Sequence, residues 1–126
     1  MNTRTGYVVF GQGSSIESAN AMVRRVAADL ARAGDYRVEA AFLELAQPDL
    51  MAAVGVLARE GMARVVVIPY FLTLGVHLQR DLPRIAAEAA SIQKDVSIEI
   101  TPPLDGHPAL VRVLLDRVAE AKTAVV

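Results

Sequence analysis

Short runs of β-branched and aromatic residues alternate along this chain with longer segments in which apolar residues recur at helical spacing. The clearest run is Val65-Val66-Val67-Ile68. The predicted strands cover residues 7–10, 37–43, 64–71 and 95–100. Strands that alternate with helices favour a parallel sheet with right-handed crossovers, and continuous Val/Ile runs are typical of strands covered on both faces. The sequence therefore predicts a single α/β domain over residues 1–126.

Each helical segment has its own sequence signal. The apolar positions of the first helix end before Gly34, and Pro48 suits the first turn of the second helix, which Gly61 closes. The apolar positions that line the helices are Ile16, Ala19, Val23, Val26 and Leu30 in the first, Leu78, Leu82, Ile85, Ala89 and Ile92 in the third, and Val111, Leu114, Leu115 and Val118 in the last. The predicted order is βαβαβαβα.

Composition excludes several function classes. The chain has no cysteine, so disulfides, thiolate metal sites and a cysteine nucleophile are ruled out. A net charge of −1 and an aromatic content of 5% argue against a nucleic-acid partner. The apolar run that ends at Gly11 is too short for a signal sequence or a membrane span, which predicts a cytoplasmic protein without a membrane partner. An apolar content of 53% suggests that a partner subunit covers some surface.

Polar side chains follow the predicted strands. In an open parallel sheet, ligands bind beyond the carboxyl ends of the strands, so these side chains are expected to share one rim. The residues concerned are Gln12, Ser14 and Ser15 after the first strand, Glu44 at the end of the second, His77 after the third and just before a helix, and Asp105 and His107 after the fourth. The rim would then hold carboxylate, amide and imidazole side chains.

Each of these signals also has an ordinary structural interpretation. The segment Gly11–Ser15 could be a tight turn with a serine cap on the next helix; Ile16 breaks the dinucleotide-binding pattern, and no Walker loop is present. Glu44 could be a solvated charge and His77 a hydrogen-bonded loop residue. His107, which precedes a proline at a predicted helix start, is interpreted as structural.

Three segments resemble motifs of the small CbiX/SirB-type sirohydrochlorin chelatases. They are Phe42-Leu43-Glu44-Leu45-Ala46-Gln47-Pro48, the stretch from Pro69 to Pro83 with its Gly75-Val76-His77 and Asp81-Leu82-Pro83, and Pro102-Pro103-Leu104 followed by Gly106-His107-Pro108-Ala109-Leu110. The resemblance implies a flavodoxin-like fold with strand order 2-1-3-4 and insertion of Co²⁺ or Fe²⁺, in some members Ni²⁺, into sirohydrochlorin or a related tetrapyrrole. It also implies no organic cofactor, and a homodimer that completes the cleft.

The first loop departs from the family pattern. Members have Gly-His-Gly-Ser-Arg after the first strand, whereas this chain has Gly11-Gln12-Gly13-Ser14-Ser15. Of the family's His, Glu and His trio, Glu44 and His77 carry over, and Gln12 replaces the first histidine. The resemblance thus assigns the catalytic and metal-binding roles to Gln12, Glu44 and His77.

The remaining candidates concern the carboxylates of the tetrapyrrole. Backbone N–H groups at a helix start near Ser14 and Ser15 could bind an anion, and Arg80 could pair with a propionate or acetate. Arg80 could equally be a solvated helix residue.

The chemistry of metal insertion suits these residue types. Imidazole and carboxylate bind divalent Fe, Co and Ni and accept protons near neutral pH, whereas the amide of Gln12 coordinates weakly and cannot act as a base. Two hypotheses therefore remain, a tetrapyrrole chelatase or a weakened relative that binds or carries a tetrapyrrole or metal. A third, nucleotide or phosphate binding on the same fold, is disfavoured because the chain has no phosphate loop.

Overall fold

A computed structural model describes residues 4–123, in which four strands alternate with four helices. The strands are β1 Thr5–Gly11, β2 Arg37–Phe42, β3 Arg64–Pro69 and β4 Ser97–Ile100. The helices are α1 Glu17–Gly34, α2 Leu50–Arg59, α3 Val76–Ile92 and α4 Ala109–Thr123. All strand pairs are parallel and the order is β2-β1-β3-β4, which confirms the predicted α/β class and the order 2-1-3-4.

The core lies between one face of the sheet and helices α2 and α3. Val8 of β1 is paired with Val67 of β3, and both are fully buried together with Phe10. Helices α2 and α3 pack against each other here, while α1 packs on the other face against β1 and β2. Leu57 and Leu82 complete this apolar layer from the helices. Burial of such side chains contributes most of the stability of a sheet of this size.

Several predicted boundaries shift by one or two residues. Strands β2 and β3 end before the predicted limits at 43 and 71, and β4 begins at Ser97 rather than at 95. Pro48 lies before α2 instead of in its first turn, because Asp49 is the N-cap and its Oδ1 accepts a hydrogen bond from the Ala52 N–H at 2.9 Å. The third helix starts earlier than predicted, so His77 is its second residue.

Helix α4 differs from the other three helices. No strand or helix within residues 4–123 packs along it, and the apolar positions predicted to line it are exposed. Separately, no helix in the described range is long and apolar enough to span a bilayer.

Candidate functional site

The loops after β1, β2 and β3 meet at the carboxyl edge of the sheet. Hydrogen bonds continue past the strands, since Leu43 N–H donates to Gly11 O at 2.9 Å and Tyr70 N–H donates to Phe10 O at 2.7 Å. Glu44 N–H also donates to the backbone oxygen of Gln12 at 3.1 Å. The β1–α1 loop is therefore fixed between its two neighbours.

Gly13 allows the β1–α1 loop to approach Glu44. Its φ is +85°, and a Cβ built on it would lie 1.7 Å from the backbone oxygen of Glu44. Only glycine fits this position, because any side chain would both strain the backbone and collide with the neighbouring loop.

This approach brings Gln12 and Glu44 into contact. Gln12 Nε2 donates to Glu44 Oε2 at 2.9 Å, and both side chains are exposed to solvent. The amide that replaces the family's first histidine is thus oriented by the carboxylate of the second candidate residue. The amide oxygen remains the atom of Gln12 that can bind a cation.

His77 lies on the other side of the same rim. Together with Gln12 it lines a cavity of about 270 Å³ whose further walls are Leu43, Phe71, Gly75, Val76, Leu78 and Asp81. The structure therefore brings Gln12 to both other candidates, to Glu44 by a hydrogen bond and to His77 across a shared cavity. In the described part of the chain, no three His, Cys, Asp or Glu side chains form a metal-holding group.

Arg80 contacts the imidazole rather than solvent alone. Its Nη2 lies 3.1 Å from His77 Nδ1, one turn earlier on α3. A guanidinium only donates hydrogen bonds, so Nδ1 accepts, and the proton of the neutral ring is then on Nε2. Arg80 also lies near the carboxylate of Asp81, with Nε to Oδ1 at 3.6 Å.

Ser14 and Ser15 lie in the β1–α1 loop, and the backbone N–H of Ser14 is already hydrogen-bonded within the chain. Ser14 N–H donates to Asn20 Oδ1 at 2.9 Å, and Asn20 Nδ2 donates back to Ser14 O at 2.8 Å. The Ser14 hydroxyl accepts from Ile16 N–H, but Ile16 is the N-cap of α1 and makes no side-chain cap. Ser15 is exposed.

A carboxylate already occupies the first turn of α1. Hydrogen bonds from Arg24, and secondarily from Asn20, hold the pKa of Glu17 below its ordinary value. The positive end of the helix therefore has a negative partner within the chain. The proposed anion-binding role of Ser14 and Ser15 stays a prediction.

Two residues at the rim, Asn20 and Asp81, were not predicted from the sequence. Asn20 is 2% exposed, and its hydrogen bonds to Ser14 hold the β1–α1 loop in place. In the sequence it lies three residues before Val23 and seven before Ala27, a helical spacing that places it on the buried side of α1. Asp81 lines the cavity with His77, and their spacing of four residues on one helix was the available signal.

The β4–α4 loop reaches the rim but uses its histidine structurally. His107 Nδ1 accepts a hydrogen bond from Ala109 N–H at 3.0 Å, in the first turn of α4. The loop is attached to the β3–α3 loop by Asp105 N–H, which donates to Leu72 O at 2.7 Å. This agrees with the structural interpretation of His107.

Large apolar side chains surround the polar centre. They are Ile16, Leu45 and Leu72 from the first three loops and Val76 at the start of α3, and they are 64–78% exposed. Leu45 has a φ of +63°, an uncommon value for leucine. The rim thus combines a polar centre with a surrounding apolar surface on which a flat organic molecule could lie.

The sheet order and the polar cluster at its carboxyl edge define a flavodoxin-like α/β protein with its site in the loops. A model of the CbiX family matches residues 6–121, and the chain belongs to that family.

Two relatives illustrate the range of sizes. The chain is 28% identical to a sirohydrochlorin cobaltochelatase of Methanopyrus kandleri, over 90% of this chain and 94% of that protein. It is 34% identical to a chloroplastic sirohydrochlorin ferrochelatase of Arabidopsis thaliana, over 90% of this chain but 51% of that protein. The chain therefore spans nearly all of one relative and about half of the other.

Solved structures share the fold. A putative cobalamin biosynthesis CbiX protein from Marinobacter aquaeolei VT8 aligns with a TM-score of 0.83 and 25% identity, covering 93% of this chain and 96% of that one. A sirohydrochlorin chelatase SirB from Bacillus subtilis subspecies spizizenii, in complex with cobalt, aligns with a TM-score of 0.82 and 22% identity, covering 93% of this chain and 50% of that one.

Proposed function

We propose that this chain is a sirohydrochlorin chelatase that inserts Co²⁺ or Fe²⁺ into sirohydrochlorin or a related precursor of cobalamin or siroheme. The observation that carries the proposal is that Gln12, in a member of the CbiX family, bonds to Glu44 and shares a cavity with His77. The activities named for its relatives support the same reaction class. Ni²⁺ as a further substrate, and the absence of an organic cofactor, stay predictions.

Metal insertion requires that an ion be held, partly stripped of water, while two pyrrole N–H protons leave. His77 and Glu44 supply the ligand types that bind divalent Co and Fe and that take up protons. Gln12 orients the Glu44 carboxylate through its N–H group and offers a weak oxygen ligand. The work thus divides between two basic groups and one amide that orients the carboxylate.

The apolar side chains around the rim favour a macrocycle as substrate. Leu45, Leu72 and Val76 expose apolar surface on which the flat face of a tetrapyrrole could lie. Arg80, and the N–H groups near Ser15, would face its peripheral carboxylates. Binding of the ring would then exclude water from the metal.

The test is turnover of sirohydrochlorin with Co²⁺ by the purified protein, followed by the absorbance change of the pigment. We expect a rate well above the spontaneous reaction, and at least a roughly 100-fold loss in His77→Ala, because general acid–base and ligand groups contribute on this scale. His107→Ala is the matched control, since it removes the chain's other histidine, which caps α4, and should retain activity.

One observation favours a second function. Gln12 replaces a basic group, and its hydrogen bond engages the Glu44 carboxylate. A weakened relative that binds or carries the tetrapyrrole or the metal would give tight pigment binding without turnover in the same assay. A rate equal to the spontaneous one would contradict the chelatase.

A homodimer and a cytoplasmic location complete the proposal. The chain covers about half of the Arabidopsis and Bacillus proteins, so two copies would match their length. A second copy would close the cleft over the exposed rim. A net charge of −1 supports the expectation that nucleic acid is not a partner.

A further inference from the structure

Leu45 has a left-handed backbone conformation without being a helix cap. Its φ is +63°, and among residues 4–123 the only other non-glycine residue with a positive φ is Asp35. Asp35 is the C-cap of α1, where its N–H donates to the backbone oxygen of Ala31, and aspartate adopts this conformation comparatively often. Leu45 lies in a loop, and leucine rarely adopts it. Helix termination therefore does not explain the conformation of Leu45.

The contacts of the β2–α2 loop hold Leu45 in this conformation. Just before it, the carbonyl oxygen of Glu44 lies so close to Gly13 that a Cβ built there would be 1.7 Å away. Two residues after it, the backbone oxygen of Gln47 accepts a hydrogen bond from Arg24 Nη2 at 3.2 Å. Because the chain is fixed on both sides, the free-energy cost of the left-handed leucine stays in the folded protein.

The side chain of Leu45 offsets little of this cost within the chain. It is 68% exposed, so most of its apolar surface stays in water. Asparagine or glycine would adopt the same backbone conformation more easily and would expose less apolar surface. Leucine is thus unfavourable here on two counts, and strained residues of this kind occur at ligand-binding sites.

Leu45 belongs to a pattern in which exposed apolar side chains flank the candidate metal ligands. It directly follows Glu44, and Val76, which is 78% exposed, directly precedes His77. Leu72, in the β3–α3 loop, is 64% exposed. A flat macrocycle lying on these side chains would bring its central nitrogen atoms toward the carboxylate and the imidazole.

We propose that Leu45 is a substrate-binding residue, whose side chain packs against the face of the tetrapyrrole beside the Glu44 carboxylate. This deepens the proposed function and rests on it. The contact is apolar, so it contributes to the affinity for the ring and not to the affinity for the metal ion. The ring in turn covers the leucine, so apolar surface that is exposed in the free protein becomes buried in the complex.

The test compares Leu45→Asn with the wild type in three measurements. Titration with metal-free sirohydrochlorin should show an affinity lower by roughly 10-fold to 100-fold, because the burial of a leucine side chain contributes on this scale. Titration calorimetry with Co²⁺ alone should show an unchanged affinity. The Tm should be equal to or above that of the wild type, because asparagine adopts the left-handed conformation more readily than leucine.

Two control variants separate the side chain from the backbone. Leu45→Met keeps an unbranched apolar side chain at the same position, so its affinity for sirohydrochlorin should stay within about threefold of the wild type. Asp35→Gly replaces the other left-handed residue, at the end of α1 away from the rim. It should leave the affinity for sirohydrochlorin unchanged and should not lower the Tm.

The inference fails if Leu45→Asn binds sirohydrochlorin as tightly as the wild type. A lower Tm in that variant would show that the leucine stabilises the fold, and a parallel loss of Co²⁺ affinity would show that the Glu44 loop has moved; either result overturns the inference. Wild-type insertion of metal together with unchanged ring affinity in Leu45→Asn would refute the role of Leu45 and leave the proposed function standing. Ring binding that depends on Leu45 without any insertion of metal would do the reverse.

Discussion

The imidazole of His77 has two nitrogen atoms, and Arg80 engages one of them. With Nδ1 accepting from the guanidinium and the proton on Nε2, neither nitrogen offers a lone pair to a metal. A carboxylate of the tetrapyrrole that attracts Arg80 would release Nδ1. Substrate binding and metal binding are then coupled through one side chain, which acts by positioning.

Replacing Arg80 should therefore raise the affinity for the metal ion and lower the affinity for the tetrapyrrole. In Arg80→Ala we expect tighter Co²⁺ binding by the free protein, roughly threefold to tenfold, because Nδ1 is no longer occupied. We expect weaker binding of sirohydrochlorin by a similar factor, because a charged partner is lost. Titration calorimetry with each ligand alone measures both.

Arg32→Ala is the matched control for Arg80→Ala. Arg32 lies in the last turn of α1, is exposed, and pairs with Asp29 within the same helix. Neither affinity should change in this variant. If both affinities fall in Arg80→Ala, the arginine does not restrain the imidazole.

The sequence predicted that Gln12, Glu44 and His77 lie at one edge of the sheet, because residues that follow parallel strands share that edge whatever their rotamers. It could not predict the bond between Gln12 and Glu44, since that depends on the close approach that Gly13 permits. Asn20 was missed because the helical period alone does not decide which of two adjacent rows of α1 faces the sheet.

Strand β2 and helix α2 are joined by a charged contact at the edge opposite the site. Arg37 donates to both carboxylate oxygens of Glu60, at 2.7 and 2.8 Å, and to Glu39 at 2.7 Å. The Glu60 bonds, followed by that of Glu39, raise the pKa of Arg37. The same bond to Arg37 holds the pKa of Glu60 below its ordinary value. This contact fixes the end of α2 against the start of β2.

Removing the charge of Glu60 should destabilise the protein in a pH-dependent way. A carboxyl whose pKa is lowered by folding stabilises the folded state above its unfolded pKa of about 4.5, and this stabilisation is lost as the pH falls through the folded value. Glu60→Gln should lower Tm by roughly 2–4 °C near neutral pH, with the difference from wild type shrinking in acid.

Thermal melts of both proteins between neutral pH and pH 3 measure this. Glu88→Gln, which removes a carboxylate paired within α3, is the control and should give a smaller difference. A difference for Glu60→Gln that is constant across the range would mean that the effect is not electrostatic.

At the scale of elements, the order of strands and helices could be predicted from the sequence, but the residues at which each element begins and ends could not. His77 was placed before α3 because Gly75 and Val76 follow a strand and give no cap signal; in the structure Gly75 is the N-cap without any side-chain bond. Pro48 suggested a helix start, but the Asp49 carboxylate, which caps Ala52, sets the first turn later.

For the whole molecule, the helical periodicity of the apolar residues of α4 was correctly predicted, but the exposure of that apolar row was not. An apolar row predicts that a helix is covered, but not by which chain. The row on α4 is exposed within residues 4–123. Contacts between chains leave the same pattern as contacts within one.

The homodimer of the proposed function should make the stability of the protein depend on its concentration. Two folded chains that bind each other are stabilised by mass action, so a 100-fold rise in concentration should raise the Tm of the wild type by roughly 5 °C. Scanning calorimetry across that range measures this shift, and a wild-type Tm that is independent of concentration would contradict the homodimer.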